Sequence, residues 1–429
     1  MRYRPRGSRT PHLRDCGLFL HVLGLYPLQG LLERGYPREK LIYLNLPEAK
    51  RRGRYMPFNV LASPRAARPR LQHQGGLPPR LARAGQRCPH VRHAGPGRRE
   101  GPDQQNLPLT GLYRLLGDQG FRERLLAAEA DPDIVAFFRD QFDRLAVKDQ
   151  VDQAGAALRR AHMLAFSPVL KYSLGQQGNV LDYRAIMDEG KSVIVNLALQ
   201  NHTATRLLGC LLTVSAEQAA LSRADVPSSR RGPAHHLIID ESSEFTAQSE
   251  EALSRMLSLT RKYGLFLVMA HQTWAQASDR FQGALQNCGL EVAFRLGRAD
   301  AETTARQLGR VTPYNVSHRH GESGEPHGMN EQWEEQAQHL MDLKPRYAMI
   351  RKPLPHLPCP WHHFWHRPTT ALYKVKTPTM EDPVVTAETV AEAEAYYLGT
   401  YFRPQSEAEE SLARLRAVVG PPPRRGNLT

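Results

Sequence analysis

An aspartate and a glutamate stand side by side where an apolar run ends, in His236-Leu237-Ile238-Ile239-Asp240-Glu241. This is the form of the second nucleotide-binding motif of phosphate-loop ATPases. A strand that delivers the pair to the carboxyl edge of a parallel sheet lets Asp240 hold Mg²⁺ directly or through water and lets Glu241 polarise an attacking water. The plainer alternative is a strand ending in a solvated acidic turn. About thirty residues later a second apolar run ends in His271-Gln272-Thr273. In a parallel sheet that loop neighbours the first, so Gln272 is placed to contact a γ-phosphate or the water attacking it. Between the two, Ser258 to Gly264 ends a helix with a glycine cap. Arg261 and Lys262 there complement the helix dipole by default, and in the functional reading Arg261 reaches the nucleotide of a neighbouring subunit.

These residues need a scaffold, and the pattern supplies one. Between Lys191 and Leu296 short apolar runs (193–199, 237–240, 265–271, 291–296) alternate with helical stretches (Thr203 to Arg223, Gln248 to Lys262, Trp274 to Asn287). Each run is nearly continuous in apolar residues, as strands buried on both faces are. Strand and helix in alternation predict an α/β core, a parallel sheet flanked by helices. Leu41 to Leu46 reads as a further buried strand, and residues 106–180 as a helical subdomain. The ATPase core spans 181–355 with a last strand at Tyr347 to Arg351, and 356–429 is a carboxyl-terminal extension, poorly ordered from Pro404 onward.

The chain has 429 residues, 41% hydrophobic and 23% charged, which excludes collagen-like, coiled-coil and wholly disordered classes. Five cysteines with no C-x-x-C pair argue against a disulfide framework or a zinc ribbon and for a reducing compartment. The net charge of +14 is concentrated: residues 62–105 hold nine arginines against Glu100 and Asp103, and Arg2, Arg4, Arg6 and Arg9 open the chain. Whole-chain basicity therefore says little about nucleic-acid binding by the folded part. Cys16 to Leu32 is uncharged and follows a basic start, but Pro27 and Gln29 interrupt it and no small-x-small cleavage site follows, so a buried segment fits better than a leader or a span.

HLIIDESSEF, SRMLSLTRKYGLFLVMAHQTWAQAS and LQNCGLEVAFRLGRADAETTARQLG, in that order, resemble the TraG/TraD-like coupling ATPases of conjugative type IV secretion, within the wider superfamily of HerA and FtsK DNA-pumping motors. IMDEGKSVIVNLA, LLGCLLTVSAEQAALSR and LIYLNLPEAKRRGRYMPFNVLA resemble the same family. The resemblance implies a RecA-like phosphate-loop core with ATP and Mg²⁺ as cofactors, and movement of DNA through a homo-oligomeric ring, a hexamer. It also implies relaxase and secretion-channel partners, and a place in the cytoplasm at the inner face of the inner membrane, with membrane contact through an amino-terminal region. By matching position it assigns magnesium to Asp240, the catalytic carboxylate to Glu241, γ-phosphate sensing to Gln272 and a trans arginine to Arg261. A HerA-like DNA-end-processing helicase and a non-catalytic, DNA-binding ring subunit are the alternatives.

Two departures stand against the family pattern. Nothing fits G-x-x-x-x-G-K-[ST]: Gly190-Lys191-Ser192 has Ala185 where the first glycine belongs and leads into a strand instead of opening a helix. The expectation is a core truncated before its phosphate loop, with residues 1–61 a remnant of the amino-terminal part of the motor. The second departure is 62–105, rich in Pro, Gly and Arg, where the family has a helical segment. Read one base later with suitable synonymous codons, Gln72 to Gln104 becomes an amphipathic sequence resembling the family, so a frameshift and a disordered basic linker are the two readings. Weaker candidates are Cys359 to His366, with soft ligands at metal-compatible spacings, and Arg295, Arg298 and Arg306 as channel-facing cations. An aromatic surface loop and a charged helix face are the respective defaults. His318, His320 and His327, in a glycine-rich loop, and His235 and His236, ahead of the acidic strand, read as solvated or packed side chains.

Overall fold

The computed structural model describes residues 16–21, 26–60, 108–127, 131–176, 178–227, 231–308, 328–353, 370–379 and 381–417. The Arg-rich stretch 62–105, Cys359 to His366, His318, His320 and His327 lie outside the described residues. The strands in chain order are β1 (Cys16–His21), β2 (Leu41–Asn45), β3 (Arg54–Tyr55), β4 (Ser192–Asn196), β5 (His235–Ile239), β6 (Leu265–Met269), β7 (Glu291–Ala293), β8 (Tyr347–Pro353), β9 (Thr370–Lys376) and β10 (Arg403–Pro404). Chain contacts divide the molecule into one unit of 1–270 with 383–429 and a second of 271–382.

The first unit is built on a five-stranded sheet, order β2-β4-β1-β5-β6, with every pairing parallel. The α/β class is as expected. The apolar runs become strands because covering helices bury both faces: β4 is buried at all five positions. Helix His202–Ser222, capped by Asn201 Oδ1 accepting from Ala204 N at 3.1 Å, returns the chain from β4 towards β5. Cys16–His21, too short to span a bilayer, is the middle strand of this sheet, and no described helix is long and apolar enough to cross a membrane.

The expected disorder after Pro404 is corrected at its start. Helix Ala387–Tyr401 packs on β2, with Tyr397 edge-on to Tyr43 at 6.2 Å and Glu394 Oε1 accepting from Asn45 Nδ2 at 2.9 Å. A further helix, Gln405–Ala417, buries Ala408 completely and brings Leu412 against Gly175. Tertiary contact, not propensity, holds these segments. The opposite edge of the sheet differs. Strand β6 has no outer partner among the described residues, and Val268 is 46% exposed.

Helices between Gly111 and Leu174 form a separate core of Leu115, Phe121, Phe137, Phe138 and Phe142. Arg122, 2% exposed, is buried within it. Its guanidinium donates to the Leu115 carbonyl at 2.8 Å, pairs with Asp143 and lies 5.0 Å from the Phe142 ring centre.

The second unit corrects one strand assignment. Residues 291–296 were expected to extend the parallel sheet, but β7 pairs antiparallel with β8, and β8 with β9. Helices Arg298–Leu308 and Met329–Met341 cover that sheet through Ala301, Ala305, Ala337 and Leu340. The run is short and its apolar character is shared by both kinds of sheet, so periodicity alone could not choose the partner.

At the amino end of β5 a histidine is sealed from water near Arg223, which pairs with Asp188 at 3.2 Å. His235 and Arg223 are 0% exposed, and neither imidazole nitrogen of His235 has a hydrogen-bond partner. Burial, then the Arg223 and His236 charges, lowers the His235 pKa to about 4 from 6.5. A histidine held neutral binds its proton more weakly folded than unfolded, so its contribution to stability is complete above pH 6.5 and is lost as pH falls towards 4. We expect a loss of about 3 kcal/mol over that window. Urea midpoints at several pH values measure it. His235→Phe should flatten the dependence, and an unchanged slope would show that other groups carry it.

Candidate functional site

Strand β5 ends at Ile239 and the chain turns at once. Asp240 Oδ1 accepts from Glu241 N at 3.1 Å, and Glu241 sits in the left-handed region with φ of +52°. That conformation costs an L-residue roughly 1–2 kcal/mol and is kept where surroundings fix it. Two bonds to the next strand's exit fix it here: Ala270 N donates to Ile239 O at 3.0 Å, and Ser242 N donates to Ala270 O at 2.8 Å. Strand β5 is hydrogen-bonded along its whole length to β6, so Asp240 and Glu241 are held at the carboxyl edge of the sheet, both partly exposed. Helix Ser243–Leu259 starts immediately after.

One carboxylate directed to a sheet edge, with a second beside it, fits what magnesium asks of a protein. The ion keeps most of its waters and takes one or two carboxylates plus substrate phosphates. No cluster of three or more His, Cys, Asp or Glu is formed among the described residues, as a closed all-protein metal cage would require.

Gln272 lies in the second unit, two residues after Ala270, and is exposed. The segment that follows it is clamped by a residue that motif reading passed over. Asp300 accepts from Thr273 Oγ1 at 3.1 Å and from Trp274 N at 3.0 Å, while Trp274 Nε1 donates to Thr304 at 2.9 Å. The signal was present in the sequence as Asp300 in the first turn of a helix, where a carboxylate acts on nearby N–H groups.

Arg261 is exposed on the short turn Thr260–Tyr263 that precedes β6. It lies at the amino edge of the sheet, a strand length of roughly 16 Å from Asp240 and beyond the reach of its own side chain. Gly190-Lys191-Ser192 lies at that same amino edge. Gly190, with φ of +65°, caps helix Tyr183–Glu189; Lys191 pairs with Glu189 at 2.6 Å, and Ser192 bonds Tyr36 at 2.9 Å. Arg298 is paired with Glu302 at 2.9 Å and Glu334 at 2.8 Å, while Arg295 and Arg306 are exposed.

The core is a parallel α/β sheet that presents an acid pair at its carboxyl edge, the edge at which open α/β sheets bind their ligands. Residues 235–345 match the family described as the TraM recognition site of TraD and TraG. Over those residues, which include the acid pair, the chain is TraG/TraD-like. No curated protein matches it. Solved structures similar to it include the bacterial conjugative coupling protein TrwBdeltaN70 in its unbound form, 14% identical over 78% of this chain and 81% of that one, with a TM-score of 0.39. The plasmid coupling protein TrwB with the non-hydrolysable GTP analogue GDPNP is 15% identical over 87% and 88%, at 0.44. TrwB with ADP and Mg²⁺ is 15% identical over 78% and 81%, at 0.39.

Proposed function

We propose that the chain belongs to an ATP-driven DNA translocase, the coupling component of conjugative type IV secretion. The observation that carries the reading is the Asp240-Glu241 turn, held in a left-handed conformation at the carboxyl edge of a parallel sheet and lying inside the residues matched to TraD and TraG. In this reading Asp240 holds Mg²⁺, which supplies charge neutralisation at the phosphates, and Glu241 orients the attacking water. Gln272 responds to the γ-phosphate, and Arg261 acts on the neighbouring subunit's nucleotide within a hexameric ring. DNA is the cargo. The matched family's description supports docking of a relaxosome protein on residues 235–345.

Coupling and DNA processing separate in cells. Deleting the gene from its element should abolish DNA transfer to recipients while leaving nicking at the transfer origin intact, and re-supplying the gene should restore transfer. Loss of nicking as well would overturn the coupling reading in favour of DNA processing, and undiminished transfer would remove it altogether.

A further inference from the structure

Gln272 stands in a segment whose backbone is fixed from within the second unit, by groups on one face of helix Arg298–Leu308. Asp300 Oδ1 accepts two bonds at once, from Thr273 Oγ1 at 3.1 Å and from Trp274 N at 3.0 Å. Thr304, one turn further along and 3% exposed, accepts from the Trp274 indole at 2.9 Å. The Trp274 carbonyl accepts from Gln282 Nε2 at 3.0 Å, so every polar group of that residue is engaged. His271 closes the segment from its other end, its ring meeting the Trp274 ring edge-on at 4.8 Å. Gln272, between those two, is left exposed. The helix that does the holding is itself anchored. Ala301, Ala305 and Leu308 share a core with Ala337 and Leu340 of helix Met329–Met341, and Arg298 bonds Glu334 on that helix at 2.8 Å.

We propose that Asp300 is the positioning residue of Gln272, fixing from helix Arg298–Leu308 the backbone from which that carboxamide reaches a γ-phosphate. The proposal rests on the translocase reading, in which Gln272 responds to that phosphate, and adds what aims it. An exposed glutamine turns about several bonds, so its amide meets a phosphate oxygen or a water reproducibly only if its backbone is held, and a misplacement of about 1 Å can cost about 10²-fold in rate. The charge of Asp300 is not what the geometry uses. A single oxygen accepts both bonds, and an asparagine oxygen has the same two lone pairs. A clamp with only a structural role would matter whatever stood at position 272, whereas a positioning residue has no further effect once Gln272 is gone.

The test reads ATP turnover in an assembly that includes a phosphate loop, and DNA transfer by variants of the full chain re-supplied to the deletion strain. Asp300→Ala should lower kcat by up to about 10²-fold and reduce transfer with it. KM for ATP should stay within about twofold, because the loop and its lysine grip the triphosphate. Asp300→Asn should restore both activities. Gln272→Ala should be no faster than the double variant Gln272→Ala with Asp300→Ala. In the purified chain, hydrogen exchange at residues 271–276 should quicken in Asp300→Ala while helix Met329–Met341 stays protected. Thr273→Val, which deletes one of the two bonds and keeps the shape, should show the same changes to a smaller extent and replaces the alanine variant if that one folds poorly. Four results would each overturn the assignment: kcat within about twofold of the parent after Asp300→Ala, further loss on adding Asp300→Ala to Gln272→Ala, no rescue by Asp300→Asn, or unchanged exchange at 271–276. Loss of turnover in Glu241→Gln with Asp300→Ala unimpaired would remove the positioning role and leave the translocase. Turnover indifferent to Glu241→Gln would remove the translocase reading and the positioning role with it.

Discussion

Glu241→Gln is expected to abolish ATP turnover and DNA transfer in an assembly that includes a phosphate loop. A positioned carboxylate that polarises water contributes about 10²–10⁴-fold to rate, and glutamine keeps the shape without the basicity. Nucleotide binding should survive, because the triphosphate is gripped mainly by the loop and its lysine. Without such a loop, the isolated chain should hydrolyse ATP no faster than its Glu241→Gln variant, since no described residue provides that grip. The strained backbone separates chemistry from folding. Glu241→Gly relieves the left-handed conformation and should raise stability by up to about 1 kcal/mol while losing turnover just as completely. Calorimetry and phosphate release measure the two effects. Brisk hydrolysis by the isolated chain, abolished by Lys191→Ala, would move the loop to Gly190-Lys191-Ser192.

Asp143→Ala should cost about 3–5 kcal/mol, enough to unfold the helical subdomain under mild conditions. The side chains of Arg122 and Asp143 are 2% and 11% exposed, and removing the carboxylate leaves a guanidinium buried among Phe138 and Phe142 with its charge uncompensated. Replacing both residues, as Arg122→Met with Asp143→Leu, removes the stranded charge and should recover most of the loss. Recovery will be incomplete, because Arg122 also donates to the Leu115 and Leu116 carbonyls at the end of helix Gly111–Gly117. Urea titration of the two variants checks this. Equal destabilisation by the single and double changes would assign the stability to those carbonyl bonds instead.

Strand β4 was legible because burial at all five positions leaves a continuous apolar run, and β5 and β6 carry similar apolar runs although their side chains are only partly buried. Sheet order was not legible. The amino-terminal run Cys16–His21 enters between β4 and β5, and that depends on which edges remain open, not on local sequence. Helix Ala387–Tyr401 escaped notice because its alanines and glutamates suit a solvated helix equally well, and what decides its place is Tyr397 meeting Tyr43. At the candidate site, residue types at the end of β5 pointed to Asp240 and Glu241. The positive φ at Glu241 left no mark in the sequence, since glycine is the residue that ordinarily signals it. Arg261 was legible as a helix-end cation, but its strand-length distance from Asp240 came only with the fold.

The helix that covers β2 also sets a schedule for synthesis. Strand β2 ends at Asn45 and its cover begins at Ala387, so a ribosome adding 5–20 residues per second takes roughly 20–70 s to make the second after the first. Strands β4 and β5 likewise emerge long after β1, which lies between them. The nascent sheet therefore waits, with apolar surface uncovered, until helix Ala387–Tyr401 leaves the exit tunnel, and holdase chaperones have that interval in which to bind. Stop codons or proteolytic cuts before Ala387 should consequently direct the whole sheet to degradation, however far they lie from Asp240 and Glu241.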